Sequence, residues 1–469
     1  MGISGIVILF AAIFLSSQSQ CAISSSSARN FPLLLDHGHR WVCNVLDFGA
    51  VADGKTIDTS AIQSAIDYCA WKARASSLHF PPGKYLTGAV FLASNMAVVI
   101  DPGAIILGSS RQEDYPRERS RWYVLAAENA VNVSVTGGGI IDGRGLEFVS
   151  RFWSRKNVMV SWNTTGACIG DECRPRLLGF VNCENVRVWN IHLRQPAYWS
   201  LHVANSSGIY IHDITLYGDF NTPNNDGIDI DGSNNTYITN CRLDTADDGI
   251  VVKSIAGPVS NVSVTNSWIR SKSCAVKIGS ETYHDLDGLY FDSITIVESH
   301  RGLGVQLRDK GNIFNVTFSN IVLSTRLYDP LWWGRAEPIY VTACPRNLST
   351  SVGTIDSVRF INISSSAENG IFLAGSDGGV LNRLELSNVS VRLGRITDYP
   401  GGLHDYRPGC QGLVHHRTAG VFMKHVHEVT VKDVNLHWER SGVEDWDLPV
   451  DFEPRTIGRL WMSNFTSSA

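Results

Sequence analysis

A unit of the form N-V-x-V/F-x-N/D-I/V-x-L recurs along this chain, and its period constrains the fold more than any other feature. One copy reads Asn185-Val186-Arg187-Val188-Trp189-Asn190-Ile191. From Val186 the equivalent position returns at Ile209, Thr236, Val262, Leu289 and Val316, in steps of 23, 27, 26, 27 and 27. Further copies stand around Val358, Leu384 and Val429, and the wider steps of 42 and 45 imply insertions. A fixed period in the twenties with β-rich units is a solenoid signature. Leucine-rich repeats share the length but need L-x-x-L-x-L with Asn at set offsets, which is absent. Helical patterning is too sparse for HEAT or TPR arrays. Short strands with apolar residues at alternate positions predict an all-β fold, a right-handed parallel β-helix. Each repeat is then one coil of about three strands, stacked at roughly 4.8 Å.

The same logic aligns a second strand of each coil. Trp199-Ser200-Leu201-His202-Val203 matches Asp226-Gly227-Ile228-Asp229-Ile230, then Asp248-Gly249-Ile250-Val251-Val252, Cys274-Ala275-Val276-Lys277-Ile278 and Arg301-Gly302-Leu303-Gly304-Val305. The third and fifth members point inward. The fourth members (His202, Asp229, Val251, Lys277, Gly304) and the sixth (Asp231, Lys253, Gly279, Gln306) point outward. Strict parity would turn the first members inward too. The small residue that follows them allows a backbone irregularity that turns them out. Asp226 then stacks on Asp248, with Asp247 beside them, and three converging carboxylates should raise at least one pKa.

The ends read differently from the middle. Residues 1–22 are expected to be a secretory signal, with a ten-residue apolar core from Ile6 to Leu15 that is too short to span a bilayer. No later run is apolar enough to span one. Residues 23–44 read as a leader, 45–445 as the β-helix and 446–469 as a C-terminal tail. A short helix from about Ser60 to Ala70, N-capped by Asp58, Thr59 or Ser60, is expected to close the first coil. Net charge is only -5, which suggests neither nucleic acid nor a basic membrane surface. Nothing demands an oligomer, and a monomer is expected.

Export permits disulfides. Cys168 and Cys173 share one loop and are a candidate bridge. No tight C-x-x-C pair with companion His suggests zinc. Sequons begin at Asn132, Asn163, Asn205, Asn234, Asn261, Asn315, Asn347, Asn362, Asn388 and Asn464. They read as glycosylation sites and equally as the way this fold writes a turn before a strand, with only some occupied.

Two insertions flank the acidic face. Residues 146–176 carry Phe152, Trp153, Trp162, Arg174 and Arg176. Residues 325–347 carry Arg326, Tyr328, Trp332, Trp333, Arg335 and Glu337. Aromatics beside carboxylates can stack sugar rings, or can simply pack loops onto the solenoid. Glycosidic hydrolysis needs an acid for the leaving oxygen and a base for water, and Asp226, Asp247 and Asp248 could supply both. From spacing alone two other readings stay open. Three carboxylates also suit Ca²⁺, which with a basic residue could run β-elimination, and Asp ladders can be structural.

Beyond spacing, residues 44–440 resemble the polygalacturonase family, family 28 of the glycoside hydrolases. The likeness rests on Asp47-Phe48-Gly49-Ala50-Val51-Ala52-Asp53-Gly54, Asp58-Thr59-Ser60-Ala61-Ile62, Phe80-Pro81-Pro82-Gly83-Lys84-Tyr85, Gly108-Ser109 and Ile141-Asp142-Gly143-Arg144-Gly145. At the site it rests on Asn225-Asp226-Gly227-Ile228-Asp229 and Asp247-Asp248-Gly249-Ile250, in place of N-T-D-G-I-D and the D-D pair. The resemblance implies that Asp247 is the general acid and that Asp226 and Asp248 hold the attacking water, in inverting hydrolysis without metal or other cofactor. Substrate contacts are expected at His202, Asp229, Lys253, Lys277, Arg301, Gln306 and Arg308, on or near the outward face, and at Trp333 of the flanking insertion. Two departures stand out. Cys274 replaces the His of G-H-G-x-S-I-G, and Gly304-Val305-Gln306 replaces the R-I-K that grips galacturonate. The expectation is therefore a secreted, extracellular or cell-wall hydrolase of pectic polysaccharide. A rhamnogalacturonan hydrolase, a Ca²⁺-dependent lyase and a non-catalytic glycan-binding wall protein are the alternatives.

Overall fold

The computed structural model describes residues 41–150, 158–159, 174–329, 332–399, 401–439 and 446–468. The expected signal, Asn163 and the Cys168/Cys173 pair lie outside them, as do Phe152, Trp153 and Trp162. Alternating apolar residues dictate strands throughout, and the strands pair in parallel from one coil to the next. The repeat anchors fall in one register: Val186 pairs with Ile209, Ile209 with Thr236, Thr236 with Val262, and so on through Leu289, Val316, Val358, Leu384 and Val429. The second strand set keeps its own register, Leu201 to Ile228 to Ile250 to Val276 to Leu303 to Ile339. Parallel coils joined by right-handed crossovers make the right-handed parallel β-helix.

One continuous apolar column fills the helix. Like residues stack on like across coils. Phe291, Phe318 and Phe360 lie 4.8 and 5.0 Å apart, ring on ring, and each such pair contributes roughly 0.5–1.5 kcal/mol beyond burial. At the turns, asparagines with positive φ build ladders in which each Nδ2 donates to the Oδ1 of the neighbouring coil. Asn205 donates to Asn182, and Asn182 to Asn129. This is why so many sequons coincide with turns.

Both ends extend beyond the expected bounds. Trp41–Asn44 is a strand pairing with Ser76–Phe80, not part of a leader. A disulfide from Cys43 to Cys69 ties it to the capping helix Thr59–Lys72. The N-cap is Asp58, but its carboxylate accepts from Val51 and Ala52 N–H rather than from the helix. At the other end, Trp446–Phe452 pairs with Thr418–Lys424 and Ile457–Ser468 with Val426–Trp438. The expected tail is thus a last coil. Nothing stacks on its far side within the described residues, so it carries exposed residues such as Trp461 and Met462 and reads as a tail in sequence. Among the described residues no helix is long and apolar enough to cross a membrane.

Candidate active site

The site lies where two successive coils carry Asp-Gly immediately before their strands. The strands are Ile228–Asp231 and Ile250–Lys253, so Asp226 and Asp248 precede them and escape the alternation of the sheet. Glycine is required next to each. A Cβ at Gly227 would stand 2.2 Å from the Gly249 carbonyl oxygen, and one at Gly249 2.5 Å from that of Ala275. The coils therefore approach closely there, and the carboxylates of Asp226, Asp247 and Asp248 converge, each offering an oxygen within 4.8 Å of the others.

Their environments differ. Asp248 is buried. It accepts from Ser273 Oγ at 2.7 Å and the Cys274 N–H at 3.0 Å on one oxygen, and from Lys277 Nζ at 2.6 Å on the other. Burial alone would raise its pKa, but Lys277 and the two hydrogen bonds hold it below the usual carboxylate range. Asp226 is also buried, and its Oδ1 has no hydrogen-bond partner. Burial first, then the neighbouring charges of Asp229 and Asp247, push its pKa well above 3.8, against the pull of Lys253. Asp247 is half-buried and accepts the N–H groups of Asn224 at 2.9 Å and Asp248 at 3.0 Å. Asn225 holds this corner by accepting the Ala246 and Asp247 N–H groups.

The expected substrate contacts fall into three groups. Lys277 and Lys253 lie at the site but are spent on acids. Lys253 Nζ is 2.8 Å from Asp229 and 3.8 Å from Asp226, and it sits 3.7 Å from the centre of the Trp199 ring. Asp229 is fully buried, and its pKa is pushed up to about 6 by burial despite Lys253. His202 is held by the Tyr123 hydroxyl at 2.7 Å, and burial pushes its pKa down to about 4, so it is neutral.

A second group is enclosed rather than presented on the face. Arg301 stacks on Tyr340 at 3.5 Å, pairs with Glu337 at 3.2 Å and is 2% exposed. Arg308 is fully buried, donating to the carbonyls of Pro408, Leu307 and Thr342. Gln306 is buried as well. The row expected to point outward does so, but it is roofed from Gly304 onward. Tyr340, Phe372 and Phe422 stack 5.3 Å apart under the Leu403–Asp405 and Leu413–His415 hairpin, and a Cys344–Cys410 disulfide anchors this roof. Trp333 alone makes the third group; it remains open, 43% exposed.

The structure places in the site two residues that the sequence did not assign to it, Arg176, known only as the end of an insertion, and Lys272. Continuing the Leu178 to Leu201 register back two residues sets Arg176 beside Trp199, in the row that leads to Asp226 and Asp248. The 23-residue step back from Trp199 was the available signal. On another side, Lys272 donates to Asn221 Oδ1 at 2.6 Å among the rings of Phe220, Tyr328 and Trp332. Cys274 is a free, buried thiol, and burial pushes its pKa up to about 12, which rules it out as a thiolate.

Residues 72–400 match the family model described as Glycosyl hydrolases family 28. Among curated relatives, a probable polygalacturonase of Vitis vinifera is 26% identical over 289 residues, covering 56% of each chain. An exo-poly-alpha-D-galacturonosidase of Dickeya chrysanthemi is 26% identical over 313 residues, covering 56% of this chain and 51% of the relative. The chain thus spans about half the length of these relatives. Among solved structures, a family 28 exopolygalacturonase of Yersinia enterocolitica superposes with a TM-score of 0.69 at 19% identity, covering 90% of this chain and 78% of the other.

Proposed function

The chain belongs to glycosyl hydrolases family 28, and from that premise we propose that it hydrolyses glycosidic bonds of pectic polysaccharide. The observation that carries the reading is the convergence of Asp226, Asp247 and Asp248 within 4.8 Å in three unlike environments. Such divergence is how a carboxylate cluster divides acid from base work. Asp247, the more accessible of the three, is the general acid. Asp226 and Asp248 hold the attacking water.

In the free protein the shared proton rests on Asp226, whose pKa is the raised one. Before the chemical step it passes through the intervening water to Asp247. Asp247 then protonates the departing glycosidic oxygen while the water attacks the anomeric carbon and gives its proton back to Asp226. The product state thereby restores the resting protonation.

The triad is closer than the roughly 6.5–9.5 Å usual for inverting enzymes, and this favours a second reading, retention through a covalent intermediate. Inversion is preferred on chemical grounds. Asp248 is tied by three hydrogen bonds, and Asp226 is engaged by the attacking water that stands between it and the anomeric carbon, so neither is a free nucleophile. The anomer released first, followed by proton NMR, separates the two.

The acid cluster also has the ligand chemistry for Ca²⁺, but Lys277 and Lys253 already bring two cations to it, which supports metal-free hydrolysis. The protein acts outside the cell, as a monomeric glycoprotein of the wall. The test is release of reducing ends from de-esterified homogalacturonan and from rhamnogalacturonan, with and without EDTA, with Asp247→Asn as control. EDTA-insensitive release from either, lost in the variant, is expected. Wild-type-like turnover in Asp247→Asn would sink the acid assignment. EDTA-abolished activity with unsaturated products would mean a lyase, and no release from either would favour a glycan binder.

A further inference from the structure

We infer that Arg176 is the receptor for a substrate carboxylate, on the N-terminal side of the three aspartates. This rests on the pectic reading above. On the described face most other cations near the triad have partners, and Arg335, whose Nε also lacks one, is 4% exposed on the roofed flank near Asp405 and Glu337. Lys253 is held by Asp229 and Asp226, Lys277 by Asp248, Arg301 by Glu337, and Arg346 by Asp309. Arg176 differs. Among the described residues no carboxylate pairs with its guanidinium, and its buried Nε has no hydrogen-bond partner. Aromatic rings hold it instead: Trp199 at 4.8 Å, Tyr198 at 5.1 Å and Tyr123 at 5.4 Å from their centres.

Ring faces fix a guanidinium plane without consuming its N–H donors. What remains is a positioned fork of unspent donors, the geometry that takes a carboxylate bidentately. Its place fits the task. In the row of stacked coils the order is Arg176, Trp199, Asp226, Asp248, so Arg176 stands two coils, about 10 Å at the strand spacing, from the triad. The half-buried Trp199 lies between them as a surface for a sugar ring. Its positive charge also reaches Asp229 and His202. Those two are occupied, Asp229 by Lys253 and His202 by Tyr123, so the guanidinium is left for an anion from solution.

The experiment is calorimetric binding of α-1,4-galacturonate oligomers and of the same oligomers with their carboxyls reduced to alcohols. It uses Asp247→Asn protein with Arg176 intact, and with Arg176→Gln or Arg176→Lys added. Intact protein is expected to bind the acid oligomer at least tenfold more tightly than the reduced one. Arg176→Gln should abolish that preference while leaving reduced-oligomer binding unchanged, and Arg176→Lys should restore part of it. The comparison of the two ligands on intact protein needs no folded Arg176 variant. Equal binding of both ligands, no binding of the acid oligomer, or an equal loss for both in Arg176→Gln would overturn the inference. Failure to hydrolyse any glycan would refute the enzymatic reading alone, because this assay reads binding.

Discussion

Replacing Lys277 by Met tests whether the charge of Asp248 depends on one buried partner. The ammonium lies 2.6 Å from the carboxylate, and both are almost wholly buried. At an effective dielectric near 20, a pair this close is worth on the order of 4–6 kcal/mol. In the wild type, Asp248 titrates below its unfolded value. Its contribution to stability is therefore present above the unfolded pKa, and is lost as pH falls through the folded one. Without Lys277 the two hydrogen bonds from Ser273 and Cys274 remain, but burial and the two neighbouring aspartates dominate, so the folded pKa rises above the unfolded value. The stability gap between wild type and Lys277→Met should then be smallest at acid pH, below the folded pKa of wild-type Asp248, and widen as pH rises through the unfolded value to the raised pKa of the variant. Above that it flattens at a few kcal/mol, the range seen when one partner of a buried pair is removed. Thermal denaturation at half-unit pH steps reads this directly. A gap of constant size across that range would refute the argument, because it would mean that Lys277 matters only for packing. The variant should also lose turnover at mildly acid pH, where Asp248 becomes protonated.

Asp247→Asn should lower reducing-end release by about 10²–10⁴-fold, the usual contribution of a positioned acid, with glycan binding and melting temperature little changed. Gly304→Ala should destabilise by about 1–3 kcal/mol, because its Cβ would stand 2.7 Å from Cys274 Sγ. Adding Cys274→Ala should recover part of the loss, and strict additivity in the cycle would refute the contact. Secreted from a eukaryotic host behind an added signal, the protein should carry N-glycan at Asn347, as read by glycopeptide mass spectrometry. Asn347 is exposed and its Oδ1 accepts from Ser349 and Thr350, whereas Asn132, Asn205, Asn261, Asn315, Asn362, Asn388 and Asn464 spend Nδ2 in ladders. Full occupancy at those ladder positions would refute that reading.

The repeat was legible because coil stacking writes itself as a period. Every anchor from Val186 to Val429 pairs as the spacing requires. The stacking of Asp226 on Asp248 followed from the same period, since the 22-residue step is one coil. Alternation predicts which side of a strand a residue faces, but not what covers that side. Arg301 and Gln306 do face away from the core, yet segments without periodicity roof them, Glu337 and Tyr340 above Arg301 among others. Diagonal pairing was equally hidden. Lys253 stands in register with Asp231 but pairs with Asp229, two positions back on the neighbouring strand. A long side chain on a pleated face reaches its diagonal neighbour, and no register table reports that. Arg176 was lost for a simpler reason. It closes an insertion, and the residues before it carry no periodicity that would extend the coil row back from Trp199.

The two departures from the family pattern are one packing exchange. Cys274 and Arg301 are register partners on adjacent coils, and Gly304 lies three residues along from Arg301. The Cys274 thiol fills the space in which any side chain at Gly304 would begin. A cation cannot stand at Gly304 while the thiol is there, and Arg301, the nearest alternative, is already stacked on Tyr340 and paired with Glu337. Beyond the triad on that side, Arg335 also has a buried Nε without a hydrogen-bond partner, but it is 4% exposed and lies near Asp405 and Glu337. Arg176 lies on the other side, unpaired and held by rings. If the substrate bears carboxylates, their recognition has moved from one flank of the aspartates to the other.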